Sequence, residues 1–165
     1  IEASKRLFAI ASSPYKMVQL SKFRLQKLIY PVGFYRNKAK VIKEISKKII
    51  QEFASQVPNN LDDLLSLKGV GRKTANLVLG LGYNIPTICV DTHVHRISNR
   101  LGWVKTDTPE QTDFALQKII PQDYWIDLNT TLVAFGQNMC LPISPYCSRC
   151  RVKEQCKKRG VKKFR

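Results

Sequence analysis

Apolar residues recur at helical spacing along most of this chain. Between residues 34 and 57 they fall every three or four positions, with lysines on the opposite side; the apolar members are Val41, Ile42, Ile45, Ile49, Phe53 and Val57. This period predicts an amphipathic helix that buries one face. No segment shows the sustained alternation of a half-buried strand, so we expect an all-α fold.

Start and stop signals divide the remaining pattern into shorter helices. Ser13, followed by Pro14, and Ser21 are predicted N-caps because their hydroxyls can accept from the first free backbone N–H groups. Gly80 and Gly82 are predicted to interrupt the helix that begins at Arg72. Further helices are expected over 61–67, 72–79, 92–101, 109–120 and 128–139.

Two of these helices have specific cap predictions. Asp91 or Thr92 is expected to cap the helix that runs to Leu101. The segment Thr108-Pro109-Glu110-Gln111 has the order of a capping box, with proline at the first helical position.

The charge balance indicates a polyanionic partner. Lys and Arg total 28 against 12 Asp and Glu, a net charge of +16, in a chain that is 44% hydrophobic. That apolar content excludes global disorder, and the charge is typical of a nucleic-acid-binding protein. An anionic membrane surface or heparin would also be attracted. No apolar run reaches the roughly 20 residues of a spanning helix.

Four cysteines near the C-terminus form a candidate metal site. Cys140, Cys147, Cys150 and Cys156 follow the spacing C-x6-C-x2-C-x5-C. Four soft thiolates suit zinc or an iron–sulfur cluster. Structural zinc sites commonly use two C-x2-C pairs and this chain has one, but the spacing leaves both groups open. Cys89 is predicted to be a buried bystander.

A glycine-containing turn precedes one predicted helix. Helix, glycine turn and helix together can aim backbone N–H groups at a phosphate, because glycine permits positive φ and the second helix adds its positive end. The predicted DNA contacts are Lys68, Gly69, Val70, Gly71 and Arg72. An ordinary connection between two helices is the alternative.

Lys73 and Asp91 are the candidate catalytic residues. Lys73 lies in the first turn after the glycines, where its amine should lie near bound DNA, so it is either a Schiff-base nucleophile or one more phosphate contact. Asp91 is either a helix cap alone or also a carboxylate that stabilises a cationic transition state. His93 and His95 are interpreted as structural.

Together these motifs resemble the endonuclease III family of helix–hairpin–helix DNA glycosylases. The matching stretches are Leu67 to Asn76, Val90 to His93 and the cysteine run, and their order and separations fit from about residue 34 to residue 156. The resemblance implies an all-α protein with two helical lobes, an active cleft between them and a C-terminal iron–sulfur loop. The implied domains are 1–88, with the hairpin at about 61–82, and 89–165, with the cluster loop at 140–156 and a basic tail.

The resemblance also implies an activity. Lys73 would attack C1′ of a damaged, flipped-out nucleotide, Asp91 would assist, and the four cysteines would hold one [4Fe–4S] cluster. The implied enzyme is a monomeric, intracellular glycosylase and abasic-site lyase that removes oxidised pyrimidines from double-stranded DNA. A monofunctional glycosylase and a non-catalytic DNA-binding module with a four-cysteine zinc site are the alternatives.

One family element is not found in this sequence. Relatives have, before the hairpin, a Leu-Ser-x-Gln-x-x-Asp segment whose glutamine wedges into DNA. Gln111-Thr112-Asp113 is similar but follows the hairpin, and we interpret it as unrelated. If the natural chain starts at Ile1, we expect the wedge and the first helices of the family to be missing.

Overall fold

The computed structural model describes all residues, Ile1–Arg165, and its regular secondary structure is entirely helical. The α-helices in chain order are α1 Glu2–Ile10, α2 Pro14–Gln19, α3 Lys22–Ile29, α4 Tyr35–Glu52, α5 Leu61–Ser66, α6 Arg72–Tyr83, α7 Thr92–Leu101, α8 Pro109–Gln117 and α9 Trp125–Asn138. Short 3₁₀ helices span Gln122–Tyr124 and Cys147–Arg149. The predicted all-α fold is confirmed. None of the helices combines the length and apolar character needed to cross a bilayer.

Packing divides the chain into two compact units, Ile1–Val70 and Gly71–Arg165. This division differs from the predicted domains, 1–88 and 89–165, which remain a prediction about folding domains.

The first unit is built around the apolar face of α4, against which α2 and α3 pack. Its core consists of Leu7, Ala11, Met17, Leu25, Ile29 and Ala39. The two predicted serine caps are confirmed: Ser13 Oγ accepts from Lys16 N at 3.3 Å and Ser21 Oγ accepts from Arg24 N at 3.1 Å.

The long helix α4 ends earlier than the apolar period predicts. The backbone turns into the left-handed region at Ala54 (φ 48°) and Ser55 (φ 63°). The Ser55 N–H then donates to the Ile49 carbonyl at 3.0 Å and closes the helix end. Val57 therefore lies outside the helix, although it continues the apolar spacing.

The second unit packs α7 against α8 and α9. Its core contains Ile88, Val90, Val94, Ile97, Leu101, Val104, Leu116, Leu128 and Leu132. The predicted capping box at α8 is confirmed in part. Thr108 Oγ1 accepts from Gln111 N at 3.2 Å, but the Gln111 side chain accepts from Asp107 N at 2.9 Å instead of from Thr108.

The predicted interruption of α6 at Gly80 and Gly82 is wrong. The helix continues to Tyr83 and ends at Asn84, which is left-handed with φ 54°. Gly80 is buried, and a Cβ built there would lie 3.4 Å from Thr87 Oγ1 and 3.7 Å from Ile126 Cγ1. These are ordinary van der Waals distances, so neither helix termination nor lack of space accounts for this glycine.

Candidate active site

The turn before α6 requires glycine at one position. The Val70 N–H donates to the Leu67 carbonyl at 3.0 Å, and Gly69, inside this turn, has φ +84°. That φ is the one a type II turn demands at its third residue. A Cβ at Gly69 would also lie 2.8 Å from Val41 Cγ1. Conformation and packing therefore both exclude a side chain there.

Gly71 has neither constraint. Its φ of −98° and ψ of 172° are open to any residue, and nothing lies within 4 Å of a Cβ built on it. As the N-cap of α6 it supplies no side-chain acceptor. The first N–H groups of the helix are thus left uncapped, at the end where the helix dipole favours an anion.

Two predicted DNA-contacting cations are paired within their own units. Lys68 Nζ lies 3.4 Å from Glu44 Oε2, with the lysine side chain 74% exposed. Arg72 Nε donates to Glu110 Oε1 at 3.2 Å, and its guanidinium lies over the Phe114 ring at 5.1 Å. Exposed pairs of this kind contribute little stability, so a phosphate can compete for either cation.

Lys73 and Asp91 both lie in the second unit, at the start of successive helices. Lys73 is the second residue of α6 and is exposed. Asp91 is half-buried and caps α7, as predicted: its Oδ1 accepts from His93 N at 2.8 Å and from Val94 N at 2.9 Å. Its Oδ2 has no hydrogen bond within the protein. One carboxylate oxygen therefore holds the helix and the other is available.

Cys89, two residues before Asp91, contacts the main chain of Lys73. Its Sγ donates to the Lys73 carbonyl at 3.4 Å. Burial raises the pKa of Cys89; the Lys73 charge lowers it, and the Asp91 and Asp113 charges raise it further. Cys89 is buried, as predicted. Its contact with the main chain of Lys73 was not anticipated from the sequence.

Side-chain amides hold the irregular segment that delivers Asp91. Residues 84–91 form no regular element. Asn76 Nδ2 donates to the Ile88 carbonyl at 2.8 Å, and Asn129 Nδ2 donates to the Cys89 carbonyl at 2.9 Å. Thr87 Oγ1 donates to the Asn76 carbonyl at 2.8 Å. Sequence reasoning missed these residues; the available signal was an asparagine within an otherwise apolar helix face.

Asp113 is a buried carboxylate next to this segment. It is 2% exposed, and its oxygens accept from Asn76 Nδ2 at 3.1 Å and from Gln117 Nε2 at 2.8 Å. Burial raises the pKa of Asp113, while the two hydrogen bonds and the Arg72 charge lower it and the Glu110 charge raises it.

The two histidines have structural partners. His95 Nδ1 lies 2.6 Å from Thr112 Oγ1, and His93 Nδ1 lies 3.2 Å from Arg96 Nη2. These contacts tie α7 to α8 and stabilise α7 itself.

The four C-terminal cysteines line one cavity, together with apolar side chains. Cys140 Sγ accepts from Arg100 Nη1 at 3.5 Å and Cys156 Sγ accepts from Lys158 N at 3.4 Å. Burial, followed by the neighbouring sulfurs, raises the pKa of Cys147. No three Cys, His, Asp or Glu side chains converge on a single point suited to one metal ion.

The cysteine loop is anchored at the end of α7 remote from Asp91. Arg96 Nη2 donates to the Cys140 carbonyl at 3.0 Å, and Arg100 donates to the Leu141 and Pro142 carbonyls, each at 2.7 Å. Since α7 has ten residues, it separates the two sites by about 15 Å, at 1.5 Å per residue. The thiols thus lie too far from Asp91 to act on the same atom.

Comparison with known proteins agrees with this fold and motif order. The family model of the HhH-GPD superfamily of base excision DNA repair proteins matches residues 1–122. The fold and the hairpin therefore define a helix–hairpin–helix protein of base excision DNA repair.

Similar proteins of known family identify the family within this superfamily. Endonuclease III of Thermotoga maritima is 48% identical over 94% of this chain, which covers 73% of that protein. Endonuclease III homolog 2 of Arabidopsis thaliana is 45% identical over 87% of this chain, which covers 39% of that longer protein. A solved structure of a trapped endonuclease III–DNA covalent intermediate is 36% identical, with a TM-score of 0.89 over 94% of this chain and 74% of that one. The chain belongs to the endonuclease III family.

A more distant neighbour shows the fold alone. A thermostable thymine-DNA glycosylase is 23% identical, with a TM-score of 0.83 over 94% of this chain and 74% of that chain.

Proposed function

We propose that this protein is a bifunctional DNA glycosylase and abasic-site lyase of base excision repair, acting on oxidised pyrimidines in double-stranded DNA. The observation that carries the proposal is the contact of Cys89 Sγ with the Lys73 carbonyl, which brings the uncapped start of α6 next to the segment that leads into Asp91. Membership of the endonuclease III family supports it. The monomeric state and an intracellular location with DNA belong to the same proposal.

The first step replaces the bond between base and sugar. The Lys73 amine attacks C1′ of the extruded nucleotide, the glycosidic bond breaks, and the base leaves with the bonding electrons and takes up a proton. Asp91 stabilises the positive charge that develops on the sugar, through the carboxylate oxygen that does not cap α7. The ring C1′–O4′ bond then opens, O4′ takes a proton, and a Schiff base remains on Lys73.

The second step breaks the strand. The Schiff base acidifies the C2′ hydrogens, a proton is removed there, and the C3′–O bond breaks with loss of the 3′ phosphate. Asp91 is the proposed proton carrier for these transfers. Hydrolysis of the Schiff base then frees Lys73.

The hairpin positions the DNA without reading its sequence. Gly69 gives the turn its shape, and Gly71 leaves the first N–H groups of α6 accessible to a phosphate. Lys68, Val70 and Arg72 are the other proposed contacts. Backbone contacts of this kind fix register and orientation only.

The cysteine cavity suits a [4Fe–4S] cluster better than zinc. Four soft thiolates select zinc or iron–sulfur chemistry. Zinc requires its ligands to meet at one point about 2.3 Å from each sulfur, whereas Cys140, Cys147, Cys150 and Cys156 surround a cavity without such a point. A cluster would brace the loop against α7. Iron and sulfide analysis of the purified protein tests this: a brown protein with visible absorbance is expected, and a colourless zinc protein would contradict it.

The lyase proposal is tested by trapping with borohydride. Purified protein is incubated with duplex DNA containing one abasic site, and a covalent protein–DNA band is expected. Lys73→Gln should abolish the band while DNA binding persists. Base release without any trapped band would instead indicate a monofunctional glycosylase. Binding without base release or nicking on any lesion would indicate a non-catalytic DNA-binding module.

A further inference from the structure

A buried polar pair lies directly behind the proposed reaction centre. Asp113 on α8 is 2% exposed and Asn76 on α6 is 4% exposed. Neither residue belongs to an ion pair with Lys or Arg. Burial of a carboxylate without a paired cation is costly, and its hydrogen bonds offset only part of that cost. The pair therefore lowers stability relative to an apolar replacement, which points to a role other than folding.

The geometry of the pair fixes the orientation of one amide. The NH₂ group of Asn76 donates to two acceptors, the Ile88 carbonyl at 2.8 Å and Asp113 Oδ2 at 3.1 Å. An inverted amide would present its oxygen to both acceptors. Because an ionised carboxylate only accepts, Asp113 enforces the orientation in which Asn76 holds Ile88.

This hydrogen bond joins the two elements that carry the proposed catalytic residues. Asn76 lies one turn after Lys73 on α6. Ile88 belongs to the irregular segment that leads into Asp91. Other hydrogen bonds of the segment include the Thr87 bond to the Asn76 carbonyl and the Asn129 bond to the Cys89 carbonyl, and the Ile88 and Val90 side chains pack in the core.

We propose that Asn76 and Asp113 are positioning residues: Asp113 orients the Asn76 amide, and Asn76 sets the separation of Lys73 and Asp91. This inference rests on the proposed lyase function. Neither residue touches the substrate; both act through the placement of residues that do.

Five variants separate positioning from simple stability. Asn76→Leu removes the bond to Ile88, and Asp113→Leu removes the orienting acceptor together with the buried charge. The double variant, which carries both substitutions, tests whether Asp113 acts through Asn76, because the two effects should then not add. Asp113→Asn is the conservative rescue, since an amide oxygen can still accept from Asn76. Gln117→Leu is the matched control, because it removes the other hydrogen bond to Asp113 and leaves Asn76 in place.

The catalytic readout is the borohydride trapping rate at saturating abasic DNA, with DNA affinity measured separately. Asn76→Leu and Asp113→Leu are expected to lower the rate on the order of 10²-fold, the effect of misplacing a reacting group by about 1 Å. Affinity should stay within about threefold, because the hairpin contacts are untouched. Asp113→Asn and Gln117→Leu should trap close to the wild-type rate, and the double variant should be no slower than Asn76→Leu.

The structural readout does not depend on activity. Cys89 is buried beside Ile88, so release of the segment should expose its thiol to iodoacetamide, with the labelled peptide identified by mass spectrometry. Labelling should accelerate in Asn76→Leu and Asp113→Leu and not in Gln117→Leu. Melting temperatures establish that each variant is folded. Asp113→Leu keeps the test decisive if Asn76→Leu does not fold, because it removes a buried charge that lacks an ion-pair partner.

Three results would overturn the inference: wild-type trapping in folded Asn76→Leu and Asp113→Leu, equal losses in Gln117→Leu, or unchanged Cys89 labelling in all variants. Failure of the wild-type protein to trap DNA is a different outcome. It would refute the lyase function, and Cys89 labelling alone would then decide whether the pair holds the segment.

Discussion

At the scale of single residues, Asp91 has an observed structural role and the chemical role that we propose. One of its carboxylate oxygens accepts both capping hydrogen bonds of α7, and the other has no partner in the protein. The same side chain therefore caps α7 and keeps one carboxylate oxygen available. Because the two tasks use different oxygens, a substitution that keeps one oxygen can separate them.

Asp91→Asn is predicted to preserve the fold and remove the activity. Asn and Asp are nearly equivalent caps, and loss of the charge at the helix N-terminus costs about 0.3–1 kcal/mol. Base excision under single-turnover conditions should fall roughly 10²–10⁴-fold, the range for loss of an acid–base group. Asp91→Ala, which also removes the cap, should cost about 0.5–2 kcal/mol of stability. Excision by Asp91→Asn at the wild-type rate would contradict the role of the carboxylate.

Asp113 is predicted to make the protein less stable as pH rises. Burial raises its pKa above the ordinary value of 3.8, so the folded state binds this proton more tightly than the unfolded state. Its contribution to stability is therefore complete below the ordinary pKa and is lost as pH rises through the raised one.

The measurement for Asp113 is the difference in unfolding free energy between wild type and Asp113→Asn from about pH 4 to 8, a window that brackets an ordinary and a raised carboxyl pKa. The unfolding free energy of wild type should increase relative to that of the variant as pH falls. Arg72 and Glu110, whose charges act on Asp113, are present in both proteins, so their ordinary titration largely cancels. A difference that is flat or of opposite sign would refute the raised pKa.

At the scale of elements, the hairpin glycines have different reasons to be glycine. Gly69 has a left-handed φ of +84° and no room for a Cβ, whereas Gly71 has an ordinary φ and open space. The turn thus requires the first glycine, and we attribute the second to the close approach of DNA.

Gly71→Ser and Gly69→Ala are predicted to have opposite effects on stability. Serine is a favoured N-cap, so Gly71→Ser should maintain stability or raise it by a few tenths of a kcal/mol. Gly71→Ser should nevertheless weaken DNA binding, because the serine hydroxyl would accept a hydrogen bond from the N–H groups that we propose bind a phosphate. Gly69→Ala should destabilise by about 1–2 kcal/mol from its φ alone, with the Val41 clash in addition. Denaturant unfolding and DNA titration check both; unchanged affinity in Gly71→Ser would contradict the proposed phosphate contact.

Elements with local signals were predictable from the sequence, and elements decided by packing were not. The caps at Ser13, Ser21 and Asp91 depend on residues a few positions apart, and all three are confirmed. Gly80 gave the wrong helix end because the burial of α6 outweighs the low helix propensity of a glycine, and burial is not visible in the local sequence.

The residues of the candidate site also divide into those that local sequence signals predicted and those that they did not. Lys73 and Asp91 were predicted as candidates from motif and helix position. Asn76 and Asp113 were not, because their pairing joins two helices distant in sequence; an asparagine on an otherwise apolar helix face indicates a buried polar group but not its partner.

At the scale of the whole molecule, the net charge of +16 predicts a strong salt dependence of DNA binding. With about six phosphate contacts, affinity should fall roughly 10³-fold between about 50 and 200 mM salt, and Lys68→Ala should reduce the slope by about 0.9. Fluorescence anisotropy with a labelled duplex measures both. A flat salt response would argue against a DNA role, and an unchanged slope in Lys68→Ala would show that Lys68 remains paired with Glu44.

The central claim is that Lys73 is the residue that becomes covalently attached to DNA. Digestion of the borohydride-trapped complex, followed by peptide mass spectrometry, tests it most directly, since the reduced Schiff base is stable and can be assigned to one amine. The account predicts the adduct on the peptide that contains Lys73, and no adduct in Lys73→Gln. An adduct on another lysine or on the N-terminal amine, retained in Lys73→Gln, would contradict it.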